Sequence, residues 1–408
     1  MSALLKPDVY DLGQVPPLGY VPRFMHAWTI RPERQGLPEW ALREEILPVP
    51  QIGAHEALVL VMAAGINYNG VWAALGRPVP VFSLHHQDFH VPGSDAAGIV
   101  WAVGDGVRQF KVGDEVVVHC HQDDGNDEEC NGGDPMHSLT QRIWGYETPH
   151  GSFAQFTKVQ ARQLMPRPQH LSWEESCCYT LTLATAYRML YGHPPHVVSP
   201  GSKVLVWGGA GGLGSMAIQL IAAGGGSAIA VVSGPERAEF VRRLGASGVI
   251  DRTAFNCWAP PPPPEDLDAY GAFLREGRKF GAAIRELTGG TDVDIVFEHP
   301  GAATFAISCL VCKRGGMVVF CASTTGYALT FDSRFVWTRQ KRIQGSHFAN
   351  TRQANIANRL ILDRRIHPAL GHVYDWHELP HAHTLMLQNQ HPPGNHCIRV
   401  AARPTETG

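Results

Sequence analysis

The sequence predicts an α/β protein in two parts, a mainly β domain of short antiparallel strands and a doubly wound parallel sheet of the Rossmann kind. Three observations carry that expectation. From Gly201 onward the chain alternates apolar, β-branched runs with apolar helical stretches. A glycine-rich turn joins the first of those strands to the first of those helices. Upstream, Gly-Asp turns punctuate much shorter apolar runs, the texture of compact antiparallel β structure. The expected division gives residues 1–197 to the first domain, 198–350 to the nucleotide-binding domain and 351–408 to a return of the chain to the first.

In chain order, a Pro-rich leader gives way to EALVLVMAAGINYNGVW (Glu56 to Trp72), apolar enough for a central strand with the polar NYN cluster at its exit. Asp95 to Val103 reads as a second strand, and GDGVRQFKVGDEVVVH continues with turns and short strands. Between Cys120 and Thr148 the chain becomes polar and rich in Gly and Asp, as an extended surface loop does. A helical stretch follows around Trp173 to Tyr191. SKVLVWGGAGGLGSMAIQLIAAGGGSAIAVVSG then reads as strand, turn, helix, strand. GVIDR, a helix around Arg275 to Leu287, DVDIVFEHP, a helix around Ala303 and GGMVVFCAS complete the alternation. Pro260 to Pro264 falls between two βα units as a surface excursion. The tail closes with NHCIRVAA, a strand-like run able to rejoin the first domain.

Composition narrows the function class. A net charge of -3 over 408 residues gives no basic stripe of the sort nucleic acid demands. A few local arginines still suffice for a small polyanion such as a diphosphate. No run approaches the roughly 18 apolar residues of a membrane span, and the start shows no basic region followed by a long apolar one. The nine cysteines are odd in number and do not form a secreted disulfide pattern, so a reduced cytoplasm is the expected location.

The cofactor reading rests on GGAGGLGSMA, where Gly209-x-Gly211-x-x-Gly214 stands between the strand KVLVW and an apolar helix. Glycines there let the backbone turn tightly and approach a diphosphate, and the helix start, from Gly212 and Leu213, offers it free N–H groups. The second strand ends at Ser233 and Gly234, where an NAD fingerprint wants Asp or Glu for the ribose hydroxyls. A neutral edge with Arg237 close behind tolerates a 2′-phosphate better, so NADPH is the expected cofactor. The bland alternative makes Arg237 an ordinary exposed residue at a helix start, offset by Glu236.

A catalytic zinc would want a cysteine near the exit of the first strand, but Asn67 and Asn69 stand there. His119, Cys120, His121 and Cys130 are near one another without a CxxC spacing, and no metal is expected. Without a metal to polarise an alcohol oxygen, the natural substrate is a conjugated carbonyl, whose carbon accepts hydride while an enolate takes the charge. Asn67, Asn69, Glu147 and His347 are the polar residues able to surround such a site. Each has a plainer reading: either asparagine as a turn cap, Glu147 as a solvated loop carboxylate, His347 as a histidine satisfied in a turn. Tyr146 could simply pack on Trp144.

GINYNGVWAALG, GSDAAGIV, QRIWGYETPHGSFAQF, GGAGGLGS, DIVFEHPG, CASTTGY and KRIQGSHFAN together resemble the crotonyl-CoA carboxylase/reductase family, a zinc-free branch of the medium-chain dehydrogenase/reductases. The likeness runs from about Pro22 to Val400 and includes the Cys120–Thr148 loop, which simpler quinone and enoyl reductases lack. It implies a GroES-like catalytic domain beside the Rossmann domain, and reductive carboxylation of crotonyl-CoA to ethylmalonyl-CoA with NADPH. It also implies a CO2 pocket of Asn69 (Asn67 being the weaker assignment), Tyr146, Glu147 and His347. Tyr146 stands where some relatives carry Phe, which adds a hydroxyl to the pocket wall. The resemblance further implies a homotetramer or homodimer and acrylyl-CoA or somewhat longer enoyl thioesters as secondary substrates. Arg339, Lys341, Arg342 and Arg352, around His347, are candidates to hold CoA, with Trp72 and Leu75 for the acyl chain. The competing readings are a non-carboxylating enoyl-CoA reductase, a quinone oxidoreductase, and a non-catalytic NADPH-binding protein.

Overall fold

The computed structural model describes residues 8–402, so the start of the leader and residues 403–408 lie outside it. Two compact units result: residues up to Leu181 together with Asn350 onward, and Thr182–Ala349. The division at the first crossing falls inside the helix Thr180–Tyr191 rather than at residue 198. Most of that helix is fastened within the second unit, where the Tyr191 hydroxyl donates to the Leu220 carbonyl at 2.9 Å.

The first unit is built around a seven-stranded sheet. Its strands run in the order Leu370–Tyr374, Asn395–Arg399, Glu56–Ile66, Ala96–Val103, Glu115–Val118 and Leu164–Pro166, with Phe156–Gln160 also pairing on Glu56–Ile66. Every residue of Glu56–Ile66 after the first is buried, which is why this segment is an unbroken apolar run rather than an alternating one. Leu58 and Leu60 of this strand pack with Met25, Trp101 and Phe156 in one buried cluster. The tail does rejoin this unit, as Asn395–Arg399 pairs antiparallel with the central strand.

Three local expectations are corrected. The central strand stops at Ile66, and Tyr68–Leu75 is a helix, so Trp72 and Leu75 lie on helical turns. The cause is Asn67, whose side-chain oxygen accepts from the Asn69 N–H and caps the new helix. The stretch from Trp173 to Tyr191 is two helices, Trp173–Cys177 and Thr180–Tyr191. The Cys120–Thr148 excursion is no plain loop, because His121–Gln122 pairs antiparallel with Arg142–Ile143 and closes its base.

The second unit is a six-stranded, wholly parallel sheet. Numbered in chain order, Lys203–Val206, Ser227–Val232, Gly248–Asp251, Val293–Glu298, Cys312–Phe320 and Arg342–Gly345 lie as 3-2-1-4-5-6. That is the doubly wound order with its switch point between the first and fourth strands, where ligands bind at the carboxyl edge. Helix Leu267–Leu287 starts two turns before the stretch expected from the sequence. Trp207, Phe280, Val296 and Phe305 belong to the core of this unit.

Candidate active site

At the exit of the central strand the two asparagines have different jobs. Asn67 Oδ1 accepts from the Asn69 N–H at 3.2 Å, and Asn67 Nδ2 donates to Asp95 Oδ2 at 3.4 Å. Both ends of the Asn67 amide are therefore engaged. Asn69 Nδ2 donates to Ser94 Oγ at 3.3 Å. An amide nitrogen carries two hydrogens and one hydroxyl oxygen takes only one of them. Both side chains are nearly buried, each at 8% exposure, so neither is a solvated turn residue. Gly70, next along the helix, lies against the His383 ring, whose Nε2 would be 2.1 Å from a Cβ placed there.

Tyr146 and Glu147 follow the short strand Arg142–Ile143. The Tyr146 hydroxyl donates to the carbonyl of Arg77 at 2.8 Å, with that of Val79 at 3.3 Å, which ties this turn to the segment just after the asparagine-bearing helix. Its hydroxyl is thus anchored on backbone and is more than packing against Trp144. Tyr146→Phe should lower thermal stability by about 1 kcal/mol, the net worth of one such bond, while leaving catalysis nearly intact. A calorimetric unfolding scan beside the parent enzyme checks this. Glu147 is half-buried, and one carboxylate oxygen accepts from the Ile143 N–H at 2.6 Å. Burial pushes its carboxyl above the usual range, opposed by that hydrogen bond and by the Arg142 charge. The Cys120 thiol, pushed well up by burial, feels the carboxylates of both Asp95 and Glu147.

Ser94 and Asp95 were not singled out from the sequence. The signal was a lone acid opening an otherwise apolar strand in GSDAAGIV, the pattern of a buried carboxyl with specific partners.

In the second unit the glycine turn has the features of a diphosphate cradle. Gly211 precedes the helix Gly212–Ala223 with no side-chain cap on its N–H groups. A Cβ on Gly211 would meet only the Gly208 carbonyl, at 3.5 Å, so no contact within the protein demands a glycine. What a side chain there would fill is the space over the helix start. Gly214 answers a packing need instead, since its Cβ would lie 2.4 Å from the Gly208 carbonyl. Gly209, Gly212 and Leu213 complete the turn and the first helical residues.

Ser233 stands at the end of the second strand, as the sequence suggested, and the guanidinium of Arg252 lies beside it. Arg252 Nε donates to Ser233 Oγ at 2.7 Å. Parallel register places the end of the next strand alongside, Val232 opposite Asp251, and so carries Arg252 to that edge. Asp251 is occupied by the Thr253 N–H and hydroxyl, with the Gly234 N–H at 3.4 Å. Arg237 lies in the first turn of the helix Pro235–Arg243. In the sequence GVIDR carries only a strand signal, and nothing in it points to Arg252.

His347 follows the last strand of this unit, exposed, its ring edge-on to Phe348 at 4.6 Å. Of the four basic residues around it, Lys341 is withdrawn as a CoA ligand. It is buried, and its Nζ donates to the Cys309 carbonyl at 2.6 Å. Arg342 is largely committed too, donating to the carbonyls of His193 and Pro194.

Among the described residues no group of three or more His, Cys, Asp or Glu is placed to hold a metal ion.

Residues 53–169 match the family described as alcohol dehydrogenase GroES-like domain, and residues 212–362 the one described as zinc-binding dehydrogenase. A crotonyl-CoA carboxylase/reductase of Cereibacter sphaeroides is 61% identical over 398 residues, which cover 97% of this chain and 92% of that protein. A crotonyl-CoA carboxylase/reductase, AntE, solved in complex with NADP, is 49% identical with a TM-score of 0.92, covering 97% of this chain and 99% of that one. A 2-octenoyl-CoA carboxylase reductase, CinF, solved with NADP and 2-octenoyl-CoA, is 37% identical with a TM-score of 0.86, over 95% of this chain and 90% of that one.

Proposed function

This chain belongs to the crotonyl-CoA carboxylase/reductase family, and from that premise we propose that it reduces crotonyl-CoA with NADPH and captures CO2 at Cα to give ethylmalonyl-CoA. NADPH, when bound, supplies the hydride that adds to Cβ and leaves an enolate whose Cα attacks CO2. The rest of the work falls to the protein.

The observation that carries the carboxylation half is the state of Asn69. Its amide is nearly buried, fixed by Ser94 on one side and by the Asn67 cap on its own backbone, with an N–H left over. CO2 is apolar overall with weakly accepting oxygens, so holding it takes a preorganised donor rather than a strong charge. Asn69 supplies that donor. Tyr146, its hydroxyl turned onto the Arg77 carbonyl, presents the pocket with a ring and helps exclude water that would protonate the enolate. Glu147 braces the turn that carries Tyr146. Asn67 holds the helix start and does not meet CO2.

Gly209, Gly211, Gly212, Leu213 and Gly214 hold the diphosphate of NADPH at the helix start, and Ser233 with Arg252 takes the 2′-phosphate. Arg237 is the second cation at that edge. Arg252→Ala should raise the KM for NADPH at least tenfold while changing that for NADH less than threefold, since only one cofactor carries the phosphate that a guanidinium pairs with. Initial rates with both cofactors check this, and a parallel rise in the two constants would move the assignment elsewhere.

The reaction itself is tested with crotonyl-CoA, NADPH and 13C-bicarbonate plus carbonic anhydrase, reading acyl-CoA products by mass. Labelled ethylmalonyl-CoA as the main product is the expected result. Butyryl-CoA alone at saturating CO2 would leave a reductase without a CO2 pocket.

A further inference from the structure

Asp95 opens the strand Ala96–Val103 with only 1% of its surface exposed. Two segments bond its side chain. Its Oδ1 accepts from the Leu181 N–H at 2.7 Å and is bonded to the Thr180 hydroxyl, which also lies 2.7 Å from the Val118 carbonyl. Its Oδ2 accepts from Asn67 Nδ2 at 3.4 Å. We propose that Asp95 is a positioning residue for carboxylation: it fixes which way the Asn67 amide faces, and through the Asn67 cap it fixes Asn69. The inference rests on the carboxylation reading of Asn69 given above.

The argument is one of donor and acceptor parity. The Leu181 and Asn69 backbone N–H groups can only donate. Leu181 therefore requires an acceptor at Oδ1, and Asn69 requires the oxygen of Asn67. With that oxygen turned to Asn69, Asn67 offers its NH2 to Asp95, so Oδ2 must accept as well. Two acceptors on one side chain are what a carboxyl provides and a carboxamide does not. The Thr180 hydroxyl has one hydrogen and two acceptors beside it, which a proton on Oδ1 resolves by letting Asp95 donate to Thr180 while Thr180 donates to Val118. Burial, the dominant influence, lifts this carboxyl to about 7, and either protonation state leaves Oδ2 an acceptor.

Asp95→Asn keeps the shape and breaks the parity. With its oxygen on Leu181, its NH2 faces the NH2 of Asn67. Asn67 must then turn over and present a donor to the Asn69 N–H, and the cap is lost. Adding Asn67→Asp restores the cap and the bond between positions 67 and 95: the new carboxylate caps Asn69 with one oxygen and accepts from the carboxamide at position 95 with the other. Asp is as good an N-cap as Asn.

The test measures the ratio of ethylmalonyl-CoA to butyryl-CoA at saturating bicarbonate, together with the rate of NADPH oxidation. Asp95→Asn should lower that ratio about tenfold while the oxidation rate stays within about threefold of the parent, and the double variant should bring the ratio back to within about twofold. An unchanged ratio in Asp95→Asn overturns the inference. So does a fall that the double variant fails to reverse, since that marks general damage to the fold. A parent enzyme that makes butyryl-CoA alone overturns the carboxylation reading and this inference with it. The first two outcomes leave that reading standing.

Discussion

Replacing Asn69 with leucine should abolish the proposed carboxylation and leave a plain reductase. The substitution keeps the branching and the number of side-chain heavy atoms, and the backbone N–H that Asn67 caps is untouched, so the helix Tyr68–Leu75 keeps its start. What disappears is the amide that Ser94 holds in place. A preorganised donor aimed at an oxygen that gains charge is worth about 3–4 kcal/mol, or 10²–10³ in rate. The ratio of ethylmalonyl-CoA to butyryl-CoA should drop by about that factor, because protonation of the enolate needs no such donor. NADPH oxidation with crotonyl-CoA should fall only a few-fold. Single-turnover product analysis at fixed bicarbonate separates the two, and a parallel loss of both products would mean that Asn69 serves hydride transfer or substrate binding instead.

Gly145→Ala should be among the most damaging small changes available to the catalytic unit. Gly145 has φ of +73°, and a Cβ there would sit 1.8 Å from the Gly93 carbonyl oxygen and 2.6 Å from its carbon. Those are backbone atoms, which cannot swing aside as a side chain does. Left-handed strain of about 1–2 kcal/mol adds to overpacking of about 1–3 kcal/mol or more, against a total stability of roughly 5–15 kcal/mol. Gly289→Ala isolates the strain alone, since Gly289 has φ of +70° and nothing within 4 Å of its Cβ. Soluble yield and thermal unfolding should therefore fall far more for Gly145→Ala than for Gly289→Ala. Equal losses would show that the close approach of Gly93 is relieved by a backbone shift. Because Gly145 lies between Trp144 and Tyr146, any protein that does fold should also carboxylate poorly.

The two-part fold was legible because its signals are local. The strand–glycine–helix run at Lys203–Ala223 and the βα alternation after it follow from hydrophobic period and turn chemistry, which neighbours in sequence decide. The continuous burial of Glu56–Ile66 is likewise written in its unbroken apolar run. Where the sequence reading slipped, a side chain had acted on backbone nearby. Asn67 capped a helix inside what looked like one strand, and the stretch from Trp173 to Tyr191 broke where Thr180 and Leu181 turn to Asp95. Tyr146 and Glu147 could be named as candidates, but their anchoring on Arg77 and Ile143 could not.

The sequence by itself determined the β-rich and parallel-sheet parts, the strand–glycine–helix turn and the residue types of the candidate pocket, because periodicity, turn residues and motif spacing are properties of short stretches of chain. Only the tertiary structure decided that Asn67 is bound at both ends while Asn69 keeps a donor, that Arg252 reaches Ser233, and that Lys341 is buried on the Cys309 carbonyl. Each of those turns on which donor meets which acceptor across residues distant in sequence, and strand register and packing, not local propensity, bring such partners together.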